Sequence, residues 1–179
     1  MTLRTLLRSA TGSFHERVDA AYGRFDLSDR ADYRHFLSAH ARVLPAMELA
    51  LERGGIGSIL PDWPARRRRE ALLADMDALD IELPPPAAVR AFAGPDQLWG
   101  AAYVLEGSKM GGAMLARSVG AGLPSRYLGM QGPKGSMKLF MDALDRHICH
   151  RSEDAVEAAR SVFNLFEVAA RAELEQRVS

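Results

Sequence analysis

The chain has 179 residues, of which 47% are hydrophobic and 26% are charged, and this composition fits one ordinary folded domain. Its 23 basic and 23 acidic residues cancel, so the charge balance excludes the general attraction to nucleic acid that a strongly basic domain has. A single cysteine excludes an intramolecular disulfide and favours a reducing, cytoplasmic setting. No apolar run reaches the roughly 18 residues of a membrane span.

The first half of the chain shows the helical period. Apolar residues recur at spacings of three and four along residues 2–22. They are Leu3, Leu7, Ala10, Phe14 and Val18. A second helix is predicted from just after Ser28 towards Arg53, with Pro45 kinking or interrupting it.

Prolines and glycines set the boundaries of the later elements. Pro64 suits the first turn of a helix that runs to about Asp80, and the prolines of residues 83–86 impose an extended break. Pro95 opens a long helix over residues 96–121, and residues 123–136 are predicted to be irregular. Two further helices, divided near Ser152, complete a single all-α domain.

The first helix carries a candidate metal ligand. His15 precedes Asp19 by one helical turn, so the carboxylate could accept the Nδ1 proton of the imidazole and leave the Nε2 lone pair for a metal ion. The alternative is an exposed histidine on an amphipathic helix that merely pairs with Asp19.

The long helix carries three glycines near its middle, each of which costs a helix about 1 kcal/mol relative to alanine. Gly107, Gly111 and Gly112 could let the helix backbone approach the face of a planar macrocycle held on its other side by His15. Close packing against another helix explains the same three glycines without a ligand. The sequence leaves both explanations open.

Two further segments favour ordinary surface roles. The basic run at residues 65–70 is predicted to be a solvated helix face, with a docking patch for an acidic electron donor as the alternative. His147, His150 and Glu153 follow one another at spacings of three, which permits a metal site, but exposed side chains across a helix boundary are the simpler interpretation.

Two motifs in register resemble the bacterial heme oxygenases, especially those that make biliverdin for bacteriophytochromes. They are LRSATGSFHERVD at residues 7–19 and AAYVLEGSKMGGAML at residues 101–115. DYRHFL in the second helix and AVEAARSVFNLFE in the last follow in the expected order. The resemblance implies one all-helical domain over residues 1–179 that clasps heme between a proximal and a distal helix.

The resemblance also implies roles for residues near the heme. His15 matches the proximal iron ligand, and Asp19 matches an acidic position that supports it. Arg8 and Lys138 fall near basic residues that pair with the heme propionates, whereas Gly12 stands at another of the family's basic positions.

On the distal side, the resemblance implies a catalytic role for the glycine-rich turn. Gly107, Gly111 and Gly112 match the glycines that face bound oxygen. Ser108 stands where the animal enzymes carry an aspartate that organises water, and serine is usual in the related bacterial sequences.

The implied activity is oxidative cleavage of heme, which is both cofactor and substrate, to biliverdin, ferrous iron and carbon monoxide. It requires O2 and an electron donor such as a ferredoxin or flavin reductase, and the product acceptor that the resemblance implies is a bacteriophytochrome. Neither nucleic acid nor a membrane is an expected partner.

Two alternatives stay open. One is a non-catalytic heme-binding protein on the same fold. The other is a di-iron oxidase, which needs several carboxylates and histidines from facing helices, commonly as repeated Glu-x-x-His. Here the one acid-x-x-His is Asp32 with His35, and His35 and His40 are most simply ordinary helix residues.

Overall fold

The computed structural model describes residues 1–177, and these contain α-helices and no β-strand, as the sequence predicts. The helices are α1 (Leu3–Tyr22), α2 (Arg30–Arg53), α3 (Ile56–Ile59), α4 (Trp63–Arg66), α5 (Arg69–Asp77), α6 (Pro95–Leu115), α7 (Arg126–Gly129), α8 (Ser136–Arg146) and α9 (Ser152–Arg177). The last two positions of the predicted domain 1–179 lie outside the described residues. No helix among residues 1–177 combines the length and hydropathy that a membrane span requires.

The first two helices begin with side-chain caps. The Thr2 hydroxyl accepts a hydrogen bond from the Thr5 backbone N–H at 3.3 Å, and the Asp29 carboxylate accepts one from the Asp32 backbone N–H at 2.9 Å. Both helices therefore start within two residues of their predicted positions. Pro45 lies inside α2 and does not interrupt it.

The single helix predicted from Pro64 to about Asp80 is wrong, because the chain forms α4 and α5 with a break between them. At the break, the buried Glu48 carboxylate of α2 accepts the backbone N–H of Arg68 at 2.6 Å and that of Arg69 at 3.1 Å. These two N–H groups therefore do not donate to backbone carbonyls one turn earlier, as they would in a continuous α-helix. Glu48 is twenty residues away in sequence, so local pattern does not reveal the break.

The long helix α6 ends at Leu115, six residues before its predicted end, and a short 3-10 turn follows it. Beyond that turn the Gly120 backbone N–H donates to the Leu27 carbonyl at 3.0 Å. This bond ties the segment to the connection between α1 and α2. The chain therefore leaves the axis of α6 earlier than its apolar pattern indicates.

The segment predicted to be irregular at residues 123–136 contains the short helix α7. The fully buried Asp75 carboxylate of α5 accepts the backbone N–H groups of Arg126 at 3.2 Å and Tyr127 at 2.8 Å. A carboxylate at these first-turn N–H groups satisfies donors that have no partner within the helix. The division between α8 and α9 falls just before Ser152, as predicted.

The last helix, α9, is the centre of the domain, and α1, α2 and α6 all pack against it. Several of its inward positions are buried alanines, including Ala155, Ala159 and Ala170. Small side chains let neighbouring backbones come close. At Gly100 of α6 the approach is so tight that a Cβ would overlap the backbone oxygen of Ala155.

Candidate active site

Helix α6 runs beside α9 in the same direction. Asp96, in its first turn, accepts the backbone N–H of Arg151 at 2.7 Å. Four residues later Gly100 packs on the backbone of Ala155, which is four residues after Arg151. Equal steps along both chains mean that the helices are parallel over this stretch.

Helix α1 also lies parallel to α9. Arg160 Nε donates to the Ala10 carbonyl at 3.1 Å, and Arg17 Nε donates to Glu167 at 2.8 Å, so seven residues along α1 match seven along α9. Helices α1 and α6 hardly contact each other directly in the described part of the chain. Both helices therefore pack on α9 without closing on each other, and we call the space between them over α9 the cleft.

His15 lies on α1 and is held on two sides. Its ring meets Phe163 of α9 edge-on, with centroids 5.8 Å apart at 84°, and its Nδ1 lies 3.1 Å from Asp19 Oδ2. A proton on Nδ1 that is donated to this carboxylate leaves Nε2 as a lone-pair donor. The His15 side chain is still 61% exposed, so the structure brings the predicted pair together and leaves the ring accessible.

The glycine-rich turn of α6 lies at the height of His15. Phe163, on which His15 packs, comes eight residues after Ala155, and Ser108 comes eight residues after Gly100. Both helices rise about 1.5 Å per residue. Ser108 and Phe163 therefore lie at about the same distance along the two helix axes from the contact between Gly100 and Ala155. His15 is therefore level with the turn around Ser108.

The three glycines of that turn have different surroundings. Apart from the adjoining residues and backbone of α6 itself, no described atom lies within 4 Å of a Cβ placed at Gly107 or Gly111. These two positions face open space, and we call them the glycine face. A Cβ at Gly112 would instead lie 3.3 Å from the Leu128 oxygen of α7. Helix packing thus accounts for Gly112 and does not account for the glycine face.

Ser108 is held by an arginine from outside α6. Arg68 Nη2 donates to Ser108 Oγ at 2.7 Å and to the Leu105 carbonyl at 3.2 Å, while Ser108 Oγ donates to that carbonyl at 2.7 Å. The Arg68 guanidinium also lies over the Tyr127 ring, 5.1 Å from its centroid. A permanent positive charge therefore lies beside Ser108.

The interpretation of residues 65–70 as a solvated face or docking patch is wrong for its central positions, because Arg66 and Arg68 are buried. Arg66 Nη1 binds Glu106 of α6 at 2.8 Å, and Arg66 Nη2 binds Asp62 at 2.7 Å. Lys109 forms a second ion pair with Glu106. Burial lowers the pKa of the Lys109 ammonium, and Glu106 opposes that shift.

The two predicted propionate partners differ in their surroundings. Arg8 is exposed on α1, and no carboxylate among residues 1–177 forms an ion pair with it. Its charge acts on Tyr103 of α6, whose pKa is raised by burial and lowered in part by Arg8. Lys138 is 79% exposed on α8 and pairs with Asp142 on the same helix.

His40, which the sequence treats as an ordinary helix residue, belongs to an aromatic cluster beside Arg68. Its ring centroid lies 4.6 Å from those of Tyr22 and Phe36, and its Nδ1 lies 2.6 Å from Tyr127 Oη. Burial, followed by the Arg68 charge, lowers the pKa of His40 to about 3. The imidazole is therefore neutral, and its Nδ1 shares one hydrogen bond with the Tyr127 hydroxyl.

The di-iron alternative lacks its ligands. Asp32 pairs with Arg177 at 2.8 Å, and His35 pairs with the buried Glu173 at 3.0 Å. The two side chains of the candidate motif thus have different partners on α9. Within residues 1–177 they do not belong to a cluster of three or more metal-binding side chains.

The histidines after α8 also separate. His150 and Glu153 are exposed, as expected, but His147 is half-buried with its Nε2 2.6 Å from Asp96 Oδ1. Sequence spacing groups His147 with the wrong partners, because Asp96 lies fifty-one residues earlier.

An apolar groove of about 790 Å³ lies elsewhere between α1 and α9. Leu6, Phe14 and Val168 line it, and the Arg160 guanidinium lies 5.3 Å from the Phe14 ring centroid. Neither His15 nor the glycine face borders this groove, so its volume is no measure of the cleft.

Comparison with known proteins finds a relative that matches most of the chain. A heme oxygenase from Xanthomonas campestris pv. campestris (strain 8004) is 30% identical over 158 residues, which cover 81% of this chain and 92% of the relative. No protein-family model matches the chain.

Two solved structures share the fold. The NO- and CO-bound heme oxygenase from Neisseria meningitidis matches with a TM-score of 0.80 and 18% identity, over 97% of this chain and 92% of that one. The heme oxygenase from Leptospira interrogans matches with a TM-score of 0.75 and 22% identity, over 95% and 98% of the two chains.

Proposed function

This chain belongs to the heme oxygenase family, and we propose that His15 is the protein ligand of the heme iron. One combination of observations supports the proposal: His15 and Asp19 are paired on α1, and Gly107 and Gly111 of α6, at a similar height along α9, have open space at their Cβ positions. Heme is both cofactor and substrate of the enzyme, which cleaves it oxidatively to biliverdin, ferrous iron and carbon monoxide.

The donor set fits heme. When bound, heme supplies a redox-active iron and the macrocycle that is oxidised. His15 offers a neutral imidazole nitrogen, which suits oxygen binding better than a thiolate that favours O–O cleavage. Asp19 Oδ2 lies 3.1 Å from Nδ1, where it can accept a hydrogen bond from the Nδ1–H group, fix the tautomer and orient the ring.

The glycine face contributes room. Without side chains at Gly107 and Gly111, the α6 backbone can lie against the distal side of the macrocycle and leave space for a diatomic molecule. A branched side chain at either position would project into that space. Gly112 contributes differently, because it lets α7 pack closely behind the same turn.

Ser108 and Arg68 supply the polar part of the distal side. The Ser108 hydroxyl donates to Leu105 and accepts from Arg68, and its remaining lone pair can hold a water molecule. Arg68 orients this hydroxyl without offering an acidic proton of its own. Protons would then reach the site through ordered water, with Ser108 and backbone carbonyls as its anchors.

Basic residues at the cleft edge are proposed to bind the propionates. Arg8 is exposed and has no carboxylate partner in the described chain, so it can pair with a propionate directly. Lys138 would have to exchange Asp142 for the propionate, which its exposure makes inexpensive.

The other partners follow from the resemblance of residues 7–19 and 101–115. An electron donor such as a ferredoxin or flavin reductase is required by the reaction, and a bacteriophytochrome is the proposed acceptor of biliverdin. The single cysteine supports a cytoplasmic setting in which such a donor is present.

The test is to add hemin to the purified protein, supply a reductant under air and follow the visible spectrum. The wild type should show a histidine-ligated complex that converts to biliverdin. His15→Ala should lose both the histidine-ligated spectrum and turnover. Asp19→Asn should keep ligation but lower the iron–histidine stretching frequency, because the amide oxygen accepts the Nδ1 proton less strongly than a carboxylate.

His150→Ala is the matched control, since His150 is an exposed histidine of the loop before α9. It should behave as the wild type. An unchanged spectrum in His15→Ala would place the iron ligand elsewhere, and a stable histidine-ligated complex that yields no biliverdin would favour the non-catalytic heme-binding alternative.

A further inference from the structure

Three metal-binding side chains meet at the start of α6. Asp96 Oδ1 lies 2.6 Å from His147 Nε2, and the ligand atoms of Asp96, His147 and Cys149 all lie within 4.8 Å of one another. We call this group the Asp–His–Cys cluster. Eleven residues of α6, or about 16 Å, separate Asp96 from Gly107, so the cluster is distinct from the heme cleft.

The Asp96 carboxylate is already oriented by the backbone. Its Oδ2 accepts the N–H groups of His150 at 3.1 Å and Arg151 at 2.7 Å. That oxygen is therefore occupied, and Oδ1 is directed to His147. Hydrogen bonds of this kind fix the orientation of carboxylate ligands in metal sites.

The histidine is positioned by packing, and the cysteine leaves a way in. The His147 ring lies against Trp99 of α6, with centroids 5.6 Å apart at 37°, and its side chain is 15% exposed. Cys149 is half-buried in the loop between α8 and α9. Solvent can therefore deliver an ion to a site whose imidazole is already held in place.

A nucleophilic role for Cys149 does not fit this arrangement. Burial and the neighbouring Asp96 carboxylate both raise the pKa of the thiol. A nucleophilic cysteine needs a lowered pKa beside a cation or a base. A metal ion avoids this difficulty, because it displaces the thiol proton to solvent as it binds.

We propose that the Asp–His–Cys cluster binds one divalent transition-metal ion of borderline softness, with Zn²⁺ preferred. The ligands are Asp96 Oδ1, His147 Nε2 and Cys149 Sγ, and water completes a tetrahedron. Binding releases the thiol proton to solvent, the proton that lies between His147 Nε2 and Asp96 Oδ1 passes to His147 Nδ1, and no electron moves.

The geometry needs small adjustments. Ligand atoms of tetrahedral Zn²⁺ stand about 3.5 Å apart, so Oδ1 and Nε2 must separate from 2.6 Å while Sγ moves inward. Two negative ligands offset the positive end of the α6 dipole. The thiolate and imidazole also disfavour Mg²⁺, which prefers oxygen ligands.

Zn²⁺ titration of the heme-loaded protein by calorimetry should show one equivalent bound, with an affinity that rises with pH as the thiol proton is lost more easily. Co²⁺ added to the heme-free protein should give a thiolate-to-metal absorption band. Cys149→Ser and His147→Gln should each weaken Zn²⁺ binding by more than about 100-fold. Mg²⁺ should produce no comparable heat.

His150→Gln is the matched control, because His150 contributes only its backbone N–H to the cluster, and it should bind Zn²⁺ as the wild type does. The proposal is overturned if the wild type takes up no stoichiometric Zn²⁺, or if binding survives either ligand substitution. Asp96 and His147 would then be a hydrogen-bonded clamp alone. Heme turnover is not the readout, so this result is independent of the role of His15.

Discussion

Gly111→Ala should stabilise the heme-free protein. Gly111 is exposed within α6, its φ is not positive, and no described atom outside the adjoining residues and backbone of α6 lies within 4 Å of the added Cβ. Alanine therefore meets neither steric conflict nor backbone strain, and it reduces the conformational entropy of the unfolded chain. The free energy of unfolding should rise by about 0.4–1 kcal/mol, and Tm by roughly 1–4 °C for a domain of this size.

Gly100→Ala is the matched comparison, since it makes the same chemical change on the same helix. There the Cβ would overlap the Ala155 backbone oxygen of α9, and backbone cannot move aside as a flexible side chain can. The free energy of unfolding should fall by about 1–3 kcal/mol or more. Thermal unfolding and urea titration of both heme-free variants measure the two opposite signs.

The catalytic half of this prediction uses a larger side chain. Gly111→Leu should fold and retain the histidine-ligated spectrum, but its side chain should fill the space on the glycine face and abolish biliverdin formation. A lower Tm in heme-free Gly111→Ala would contradict the open surroundings of Gly111. Turnover of Gly111→Leu at the wild-type rate would refute the idea that the glycine face is kept clear for the reaction.

Two other predictions concern the polar side of the site. Arg68→Met should keep His15 ligation but lower the rate of biliverdin formation. It should also lower the free energy of unfolding by about 1–3 kcal/mol in urea titrations, because it removes charge-assisted hydrogen bonds to Ser108 and to the carbonyl of the buried Leu105. A wild-type rate would show that Arg68 does not organise the distal polar groups. His40 has a folded-state pKa of about 3, below the unfolded value of about 6.5, so the unfolded chain binds the extra proton between these values. The free energy of unfolding should therefore fall as pH drops from about 6.5 to about 3, by up to about 1.4 kcal/mol per pH unit, and His40→Gln should flatten this slope in urea titrations. An equal slope in both proteins would show that His40 does not titrate as its surroundings indicate.

Local periodicity was sufficient to predict the main helices and the His15–Asp19 pair. Both depend on residues three or four apart, which a helix brings together whatever the rest of the chain does. The break after α4 could not be predicted in this way. It depends on Glu48, a carboxylate from another helix whose position becomes known only with the tertiary fold.

The sequence also could not show which charged residues are buried. A run of four arginines normally indicates solvent, yet Arg66 is buried because Glu106 lies against it from forty residues away. The glycines also could not be told apart from the sequence. Gly100 and Gly111 are both glycines of the same predicted helix, but Gly100 packs on α9 whereas Gly111 faces open space. The sequence shows where the glycines lie, whereas only the tertiary structure shows whether another helix packs against each of them.

The buried ion pairs of α6 compensate for the loss of helix stability that the glycine face causes. Glycines weaken a helix by about 1 kcal/mol each, and an open cleft provides no packing to compensate. On its inner side, however, Glu106 binds both Arg66 and Lys109, and Arg68 binds Ser108 and the Leu105 carbonyl. Removing one partner of such a group leaves a buried charge unpaired, which costs about 3–5 kcal/mol, so distortions that separate these ions are strongly resisted. These buried ion pairs thus hold α6 in place on its inner side. The glycine face on its other side can therefore lack side chains without loss of the helical conformation.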